Sequence, residues 1–415
     1  AGKRLTEMKQ NKALASNPQV LYLETRLALA RGNLNAAKEV ASQLLKAAPE
    51  HPLVLEMVGL VAFEAKDLPQ ALAHLQNAVK VVPELQQARL GLARTHLRMS
   101  QPAKALATLQ PALSGPKPGS QALALAGEAH LQLSELDKAE ALFKRASQAN
   151  PAEPAGRTAL ALLKLDQGDA RAAILELNEV AEADPGTVAD LALVTALLRT
   201  NHYPAARKAV GRLSRKMPDK TIPSSLRGIA QLSIKQTAEA RGSFEQALEA
   251  DAAYYPALAQ LARLDVDEGK ADIAQQRVDK FLQAHPGQSE ATRLQAQLRR
   301  RAGASGADIA TLLANAVKVN PADISLRLHL VQQHEANGRK DLALAAAQDA
   351  AAAFPNDSQI VDALGRAQVN SGDRAQGLAT FGKLVSMRAD SPLGHLRIAE
   401  AHLTSKNFDA ARTSL

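Results

Sequence analysis

The chain of 415 residues has no cysteine and no tryptophan, and only 3% of it is aromatic. Without cysteine there are no disulfides, no thiolate metal sites and no cysteine nucleophile, although neither a cytosolic nor an envelope setting is excluded. So few aromatics leave little from which to build the platforms of a sugar-binding groove. No apolar run reaches the ~18 residues of a membrane helix. Metal-ligand spacings are missing as well: His329 and His334 stand five apart on one helical pattern and point to different faces. The glycine stretch Gly303-Ala304-Ser305-Gly306 lacks the Gly-Lys-Ser/Thr ending of a phosphate loop and follows a helical pattern, not a strand. Serines and aspartates are scattered without a nucleophile–base arrangement. No cofactor, no metal and no catalysis are therefore expected.

What is present is a regular rhythm. Prolines fall at Pro49, Pro83, Pro151, Pro185, Pro218, Pro286, Pro321 and Pro355, at intervals near 34 residues or twice that. In step with them runs a turn column: Gly32, Lys66, Ser100, Ser134, Gly168, His202, Lys235, Gly269, Gly303, Gly338, Gly372 and Lys406. Residues 151–185 show one full unit, with two alanine-rich helical patterns split by Gln167-Gly168-Asp169 and closed by Asp184-Pro185. Proline lacks an N–H and restricts the residue before it, so it stops the second helix.

Two further columns hold small residues. Seven before the turn stand Thr25, Gly59, Ala93, Gly127, Ala161, Thr195, Gly228, Ala262, Ala296, Val331, Gly365 and Ala399; only Val331 is not small. About five after it stand Ala37, Ala71, Ala105, Ala139, Ala173, Ala206, Ala240, Ala274, Asp308, Ala343, Gly377 and Ala411, with Asp308 the exception. Four later comes a bulky column that includes Leu75, Leu109, Phe143, Leu177, Val210, Phe244, Val278, Leu312 and Phe381. Small residues let two helices meet backbone to backbone, and the bulky one fills the gap to the next hairpin. Histidines recur at His96, His130, His334 and His402, a column that reads as packing with a polar tip.

This pattern resembles the tetratricopeptide repeat family, which has small residues at its eighth and twentieth positions, a bulky aromatic at its twenty-fourth and proline at its thirty-second. About twelve repeats in register span nearly the whole chain; the tryptophan common at the family's fourth position is missing throughout. The resemblance implies an all-α, right-handed superhelical solenoid with one continuous core. Residues 1–16 read as a basic N-terminal helix or partial repeat, and residues 17–415 as the continuous solenoid, with joints at 114–120, 217–223 and 301–306. The deletion that shortens the sixth repeat is expected near Tyr203-Pro204. Because residue 1 is Ala and Leu415 falls inside a second helix, the parent protein is expected to continue.

In the family, first helices line the concave face where ligands bind. Mapped by register, that face carries Tyr22, Arg26, Phe63, Arg94, Arg98, Arg199, Arg263, Arg293, Arg300 and Arg366. Guanidinium groups there suit carboxylates on a peptide, and the formal charge of +8, from 50 cations against 42 anions, also leans toward an acidic partner. A non-catalytic scaffold for a protein or peptide is the leading expectation.

Residues 253–286, AYYPALAQLARLDVDEGKADIAQQRVDKFLQAHP, and the later DALGRAQVNSGDRAQGLATFGKLVSMRADSP further resemble the bacterial tetratricopeptide lipoproteins of PEP-CTERM/exosortase systems. That resemblance implies an exopolysaccharide-linked role in the bacterial cell envelope, with a lipid anchor upstream of residue 1; a cytoplasmic setting stays open. The alternatives are direct polysaccharide binding during export and a regulatory arm of an enzyme lying outside this chain. Nucleic acid is disfavoured, because the concave column mixes Leu, Ala, Glu and Arg without the recurring polar code of RNA-reading repeats.

Overall fold

The computed structural model describes residues 16–387 and 391–414, so the helix expected over residues 1–16 lies outside the described residues apart from Ser16. Among the described residues there are 24 helices and no strand. They follow as hairpins: α1 (Pro18–Ala30) with α2 (Leu34–Ala47), α3 (Pro52–Glu64) with α4 (Leu68–Val81), α5 (Gln86–Arg98) with α6 (Pro102–Leu113), α7 (Ser120–Gln132) with α8 (Leu136–Ala149), α9 (Pro154–Asp166) with α10 (Ala170–Ala183), and α11 (Val188–Arg199) with α12 (Tyr203–Lys216). Then come α13 (Thr221–Ser233) with α14 (Thr237–Ala250), α15 (Tyr255–Asp267) with α16 (Ala271–Ala284), α17 (Ser289–Arg301) with α18 (Gly306–Val319), α19 (Ile324–Ala336) with α20 (Lys340–Ala353), α21 (Ser358–Ser371) with α22 (Arg374–Met387), and α23 (Leu393–Leu403) with α24 (Phe408–Thr413). Two compact units divide the chain, one ending at Met217 and one beginning at Pro218.

The hairpin turn is a backbone device. Its pivot adopts positive φ, at Gly32 (70°) and Gly168 (96°) but also at Lys66 (62°) and Ser134 (61°). The N–H of the next residue reaches back to a carbonyl in the last turn of the first helix, as Asn33 to Ala28 (3.0 Å) and Asp67 to Ala62 (2.9 Å); orphan carbonyls are thereby satisfied. The side chain of that same residue then caps the second helix: Asn33, Asp67 and Asp169 accept from backbone N–H groups three residues on. One residue ends a helix and its neighbour starts the next, which keeps the turn short.

Two sequence expectations shift by one residue. The sixth pivot is Asn201, not His202. The missing residue comes out of the first helix, since α11 has 12 residues where α1 and α3 have 13, so it is not lost near Tyr203-Pro204. Val194 (0% exposed), not Thr195, therefore fills the small column. In the ninth hairpin an extra residue enters the turn. Ser305 caps α18 in a reciprocal box with Asp308, which holds Asp308 at the exposed helix start. Ile309 and Leu313 are buried in the places expected for Asp308 and Leu312.

Packing in each hairpin follows volume complementarity. Ala71, Ala105, Ala139, Ala173, Ala206, Ala240 and Ala274 are all fully buried. Across the hairpin, Gly127, Gly228 and Gly365 lie against the rings of Phe143, Phe244 and Phe381. Where the small residue is Ala93 or Ala161, the buried column residue is Leu109 or Leu177. Val331, the sequence exception, is matched by the small Ala347, and both are 0% exposed. The core is thus a ladder of local clusters, such as Leu55, Ala62, Ala71, Leu75, Ala78, Ala88 and Leu92 drawn from α3, α4 and α5.

Polar links fasten the ladder. At the position that lacks tryptophan, Arg89 donates to the Thr108 carbonyl (3.0 Å), Arg157 pairs with Glu176 (2.5 Å) and Glu179 (3.2 Å), and Arg327 lies over the Phe354 ring. Buried aspartates are each held by two cations: Asp190 by Arg212 (2.5 Å) and Lys216 (2.6 Å), and Asp265 by Arg241 (2.6 Å) and Arg277 (2.8 Å).

Candidate partner-binding face

In the first unit consecutive first helices pack on one another, α1 on α3, α3 on α5, α5 on α7, α7 on α9 and α9 on α11. In the second, α15, α17, α19, α21 and α23 do the same. Consecutive second helices do not pack to a comparable extent in either unit. First helices therefore form a close inner row, and residues one period apart on that row face each other.

Three neighbouring helices bring Phe63, Arg94 and Arg98 together with a residue the sequence reading missed, Glu128. Arg98 stands over the Phe63 ring, 5.8 Å from its centroid. Protein surrounding the Glu128 carboxyl pushes its pKa up, while Arg94 and Arg98 pull it down. Two guanidinium groups thus face one exposed carboxylate, so cations outnumber anions in the cluster.

Tyr22 is half-buried, and burial first, then Glu56, raises its hydroxyl pKa against the pull of Arg26. Glu56 also escaped the sequence reading. It is 6% exposed and accepts from the Ala88 N–H at 3.1 Å. Because α5 has no side-chain cap of its own, a carboxylate from the preceding repeat satisfies its first turn. Burial raises the Glu56 pKa and this hydrogen bond opposes the rise. A signal for both missed acids existed: Glu56 lies one 34-residue period after Tyr22, and Glu128 one period after Arg94.

The remaining predicted residues separate into distinct situations. Arg293 and Arg300 line a cavity of about 250 Å³ with Gln297, His329 and Gln333. Arg300 donates to Gln333 Oε1 at 2.6 Å, whereas Arg293 Nε is buried without a hydrogen-bond partner among the described residues. Arg199 is spent on Asp166 (2.8 Å), with both side chains largely exposed. Arg366 is spent on Glu335 (3.3 Å) and Asp362 (3.2 Å), and Arg397 shares the latter. Arg263 is exposed.

Two members of the histidine column fasten their own hairpin, whereas His334 Nδ1 is buried without a hydrogen-bond partner among the described residues. His96 Nδ1 lies 3.1 Å from Gln101 Oε1, and His130 bonds Glu135; each partner is the cap residue of the following helix. Burial lowers the pKa of His96 and of His334. Among the described residues no three His, Asp or Glu side chains converge as metal ligands, and no helix is long and apolar enough to cross a membrane.

Among solved structures, the chain is similar to yeast Tom70 (14% identity, TM-score 0.45, covering 98% of this chain and 96% of that one). It is also similar to a tetratricopeptide repeat protein from Parabacteroides merdae (17%, 0.44, 60% and 98%) and to the APC/C hetero-tetramer Cut9-Hcn1 (15%, 0.34, 99% and 94%). No curated protein matches it. One family pattern described as tetratricopeptide repeat matches residues 22–88, 90–154, 191–255 and 363–415, and a second with the same description matches residues 232–298. Hairpins of this period, pivoted on a positive-φ residue and locked through paired small and bulky columns over most of its length, place the chain in the tetratricopeptide repeat family.

Proposed function

We propose that the chain is a non-catalytic scaffold that holds an extended, acidic protein segment along the inner row of first helices. The observation that carries this is the cluster of Phe63, Arg94 and Arg98 around Glu128, where guanidinium charge exceeds carboxylate charge beside a half-buried ring. Such a surface pairs carboxylates and covers an apolar side chain at once. Arg26 with Tyr22, and in the second unit Arg293 with its unpartnered Nε, supply further positions of the same kind. Tetratricopeptide repeats commonly mediate protein–protein contacts, which supports the class of partner.

The test is affinity for synthetic extended peptides rich in Asp and Glu. Charge reversal of Arg94 and Arg98 should weaken binding by about tenfold or more, because hot-spot residues cost over ~1.4 kcal/mol each, and the helical melt should not move. Equal affinity with the variant would sink the proposal.

The proposal extends to a bacterial envelope system handling exopolysaccharide or sorted proteins, with a lipid anchor upstream. Its support is the resemblance of residues 253–286 and 362–392 alone. An upstream reading frame that lacks a signal peptide and lipid-acceptor cysteine would remove it.

A further inference from the structure

Outside the inner row, the first unit has an open groove of about 1360 Å³ between α10 and α12. This exceeds the ~300–1,000 Å³ of small-molecule pockets and runs along two helices of 14 residues each, roughly 20 Å at 1.5 Å per residue. Its floor is apolar: Leu193 and Leu197 of α11 lie beneath, Ile174 is half-buried on one wall, and Leu175 is 61% exposed. The opposite wall is open because Gly211 carries no side chain; a Cβ there would meet nothing within 4 Å.

The rim is not neutral. Its acids are already engaged, Glu179 with Arg157 (3.2 Å) and Glu182 with Arg212 (3.5 Å). Arg171, Lys208 and Arg215 also line the groove, are exposed, and have no ion pair or hydrogen bond among the described residues. An apolar trough of helix length, flanked by three uncompensated cations, is complementary to a helix with an apolar stripe and acidic edges.

We propose that this outer groove is a second docking site, independent of the inner face, and that its occupant is an acidic amphipathic helix of a partner protein. A flat anionic surface would reach the cations but not Leu193 and Leu197 beneath them. A nucleic-acid strand would leave the apolar floor uncovered.

The probe is a synthetic peptide of roughly 15–20 residues, long enough to hold a helix, with Leu at i, i+3, i+4 and i+7 and Glu on the flanks. It is titrated against the full chain. A peptide of the same composition in scrambled order, and one with Lys for Glu, should each bind about tenfold weaker or less well still. Gly211→Leu fills the trough at a site with free space and should abolish binding while preserving the melt. Reversing Arg171, Lys208 and Arg215 to Glu should weaken it by about tenfold or more, and reversing Arg94 and Arg98 should leave it unchanged.

The chain has no cysteine, so Gly211→Cys provides a single thiol, and the peptide should slow its alkylation. Equal binding of the scrambled peptide, undiminished binding by Gly211→Leu, or unaltered alkylation would each overturn the proposal. So would loss of binding on reversal of Arg94 and Arg98, which would put the peptide on the inner face. Self-association that Gly211→Leu dissolves would make a second copy the occupant. Binding of a single-stranded RNA oligomer that the peptide fails to displace and that the same reversals abolish would make nucleic acid the occupant.

Discussion

Gly228 lies flat against the ring of Phe244, so that a Cβ on Gly228 would stand 2.6 Å from Phe244 Cε1. Helix propensity alone favours Gly→Ala by about 1 kcal/mol, yet a fully buried ring has no room to give. Gly228→Ala should therefore destabilise the second unit by about 1–3 kcal/mol, the usual cost of overpacking. Adding Phe244→Leu should recover much of the loss, since the hairpins with Ala161 and Leu177 show that an Ala–Leu pair fits the same geometry. Chemical denaturation of the single and double variants would show it, and additive losses would refute the pairing.

Asp190 is fully buried and holds both Arg212 and Lys216. Its removal leaves two half-buried cations without their shared carboxylate. Breaking a buried pair on one side costs about 3–5 kcal/mol, so Asp190→Ala should lower the melting temperature of the first unit far more than Asp166→Ala, whose pairing with Arg199 is solvent-exposed and should change stability by at most ~1 kcal/mol. A thermal melt of the two variants distinguishes them.

The Glu128 carboxyl binds its proton more tightly in the folded chain than in the unfolded one. The contribution of this one group to stability is then greatest below the ordinary carboxylate pKa of ~4.3 and is lost as pH rises through the folded value. Glu128→Gln should match the parent protein near pH 3.5 and exceed it at pH 7. The same substitution releases Arg94 and Arg98 and should tighten capture of acidic peptides at neutral pH. Weaker capture would show that the carboxylate itself belongs to the grip.

Glu268 behaves in the opposite sense. Hydrogen bonds from Lys270 and then Arg241 hold its pKa at about 2. The stability it contributes is present above ~4.3 and disappears as pH falls toward 2. Carbon-detected NMR titration of the side-chain carbonyl should find the midpoint near 2, and Arg241→Gln should move it upward. An unmoved midpoint would show that Lys270 acts alone.

Most of the fold was legible because its requirements are local. A positive-φ pivot every 34 residues or so, a proline stop and alternating small and bulky columns state which backbone meets which, without knowledge of the whole. The slips at Asn201 and Ser305 were not legible: either one of two neighbouring residues can serve as pivot or cap, and only buried Val194 and Ile309 show which was chosen.

Which arginines remain available did not follow, because charge pairing crosses repeats. Arg366 is consumed by carboxylates of α19 and α21, while Arg293, with the same side chain and one helical turn earlier in its repeat, keeps a nitrogen unpartnered among the described residues. The outer groove belongs to the same class of property, since it exists where three helices leave space beside Gly211. The sequence by itself determined the repeating hairpin, because steric fit between columns is encoded residue by residue. Only the tertiary structure decided where charge and open volume are left over, because those are remainders after every neighbour has taken its share.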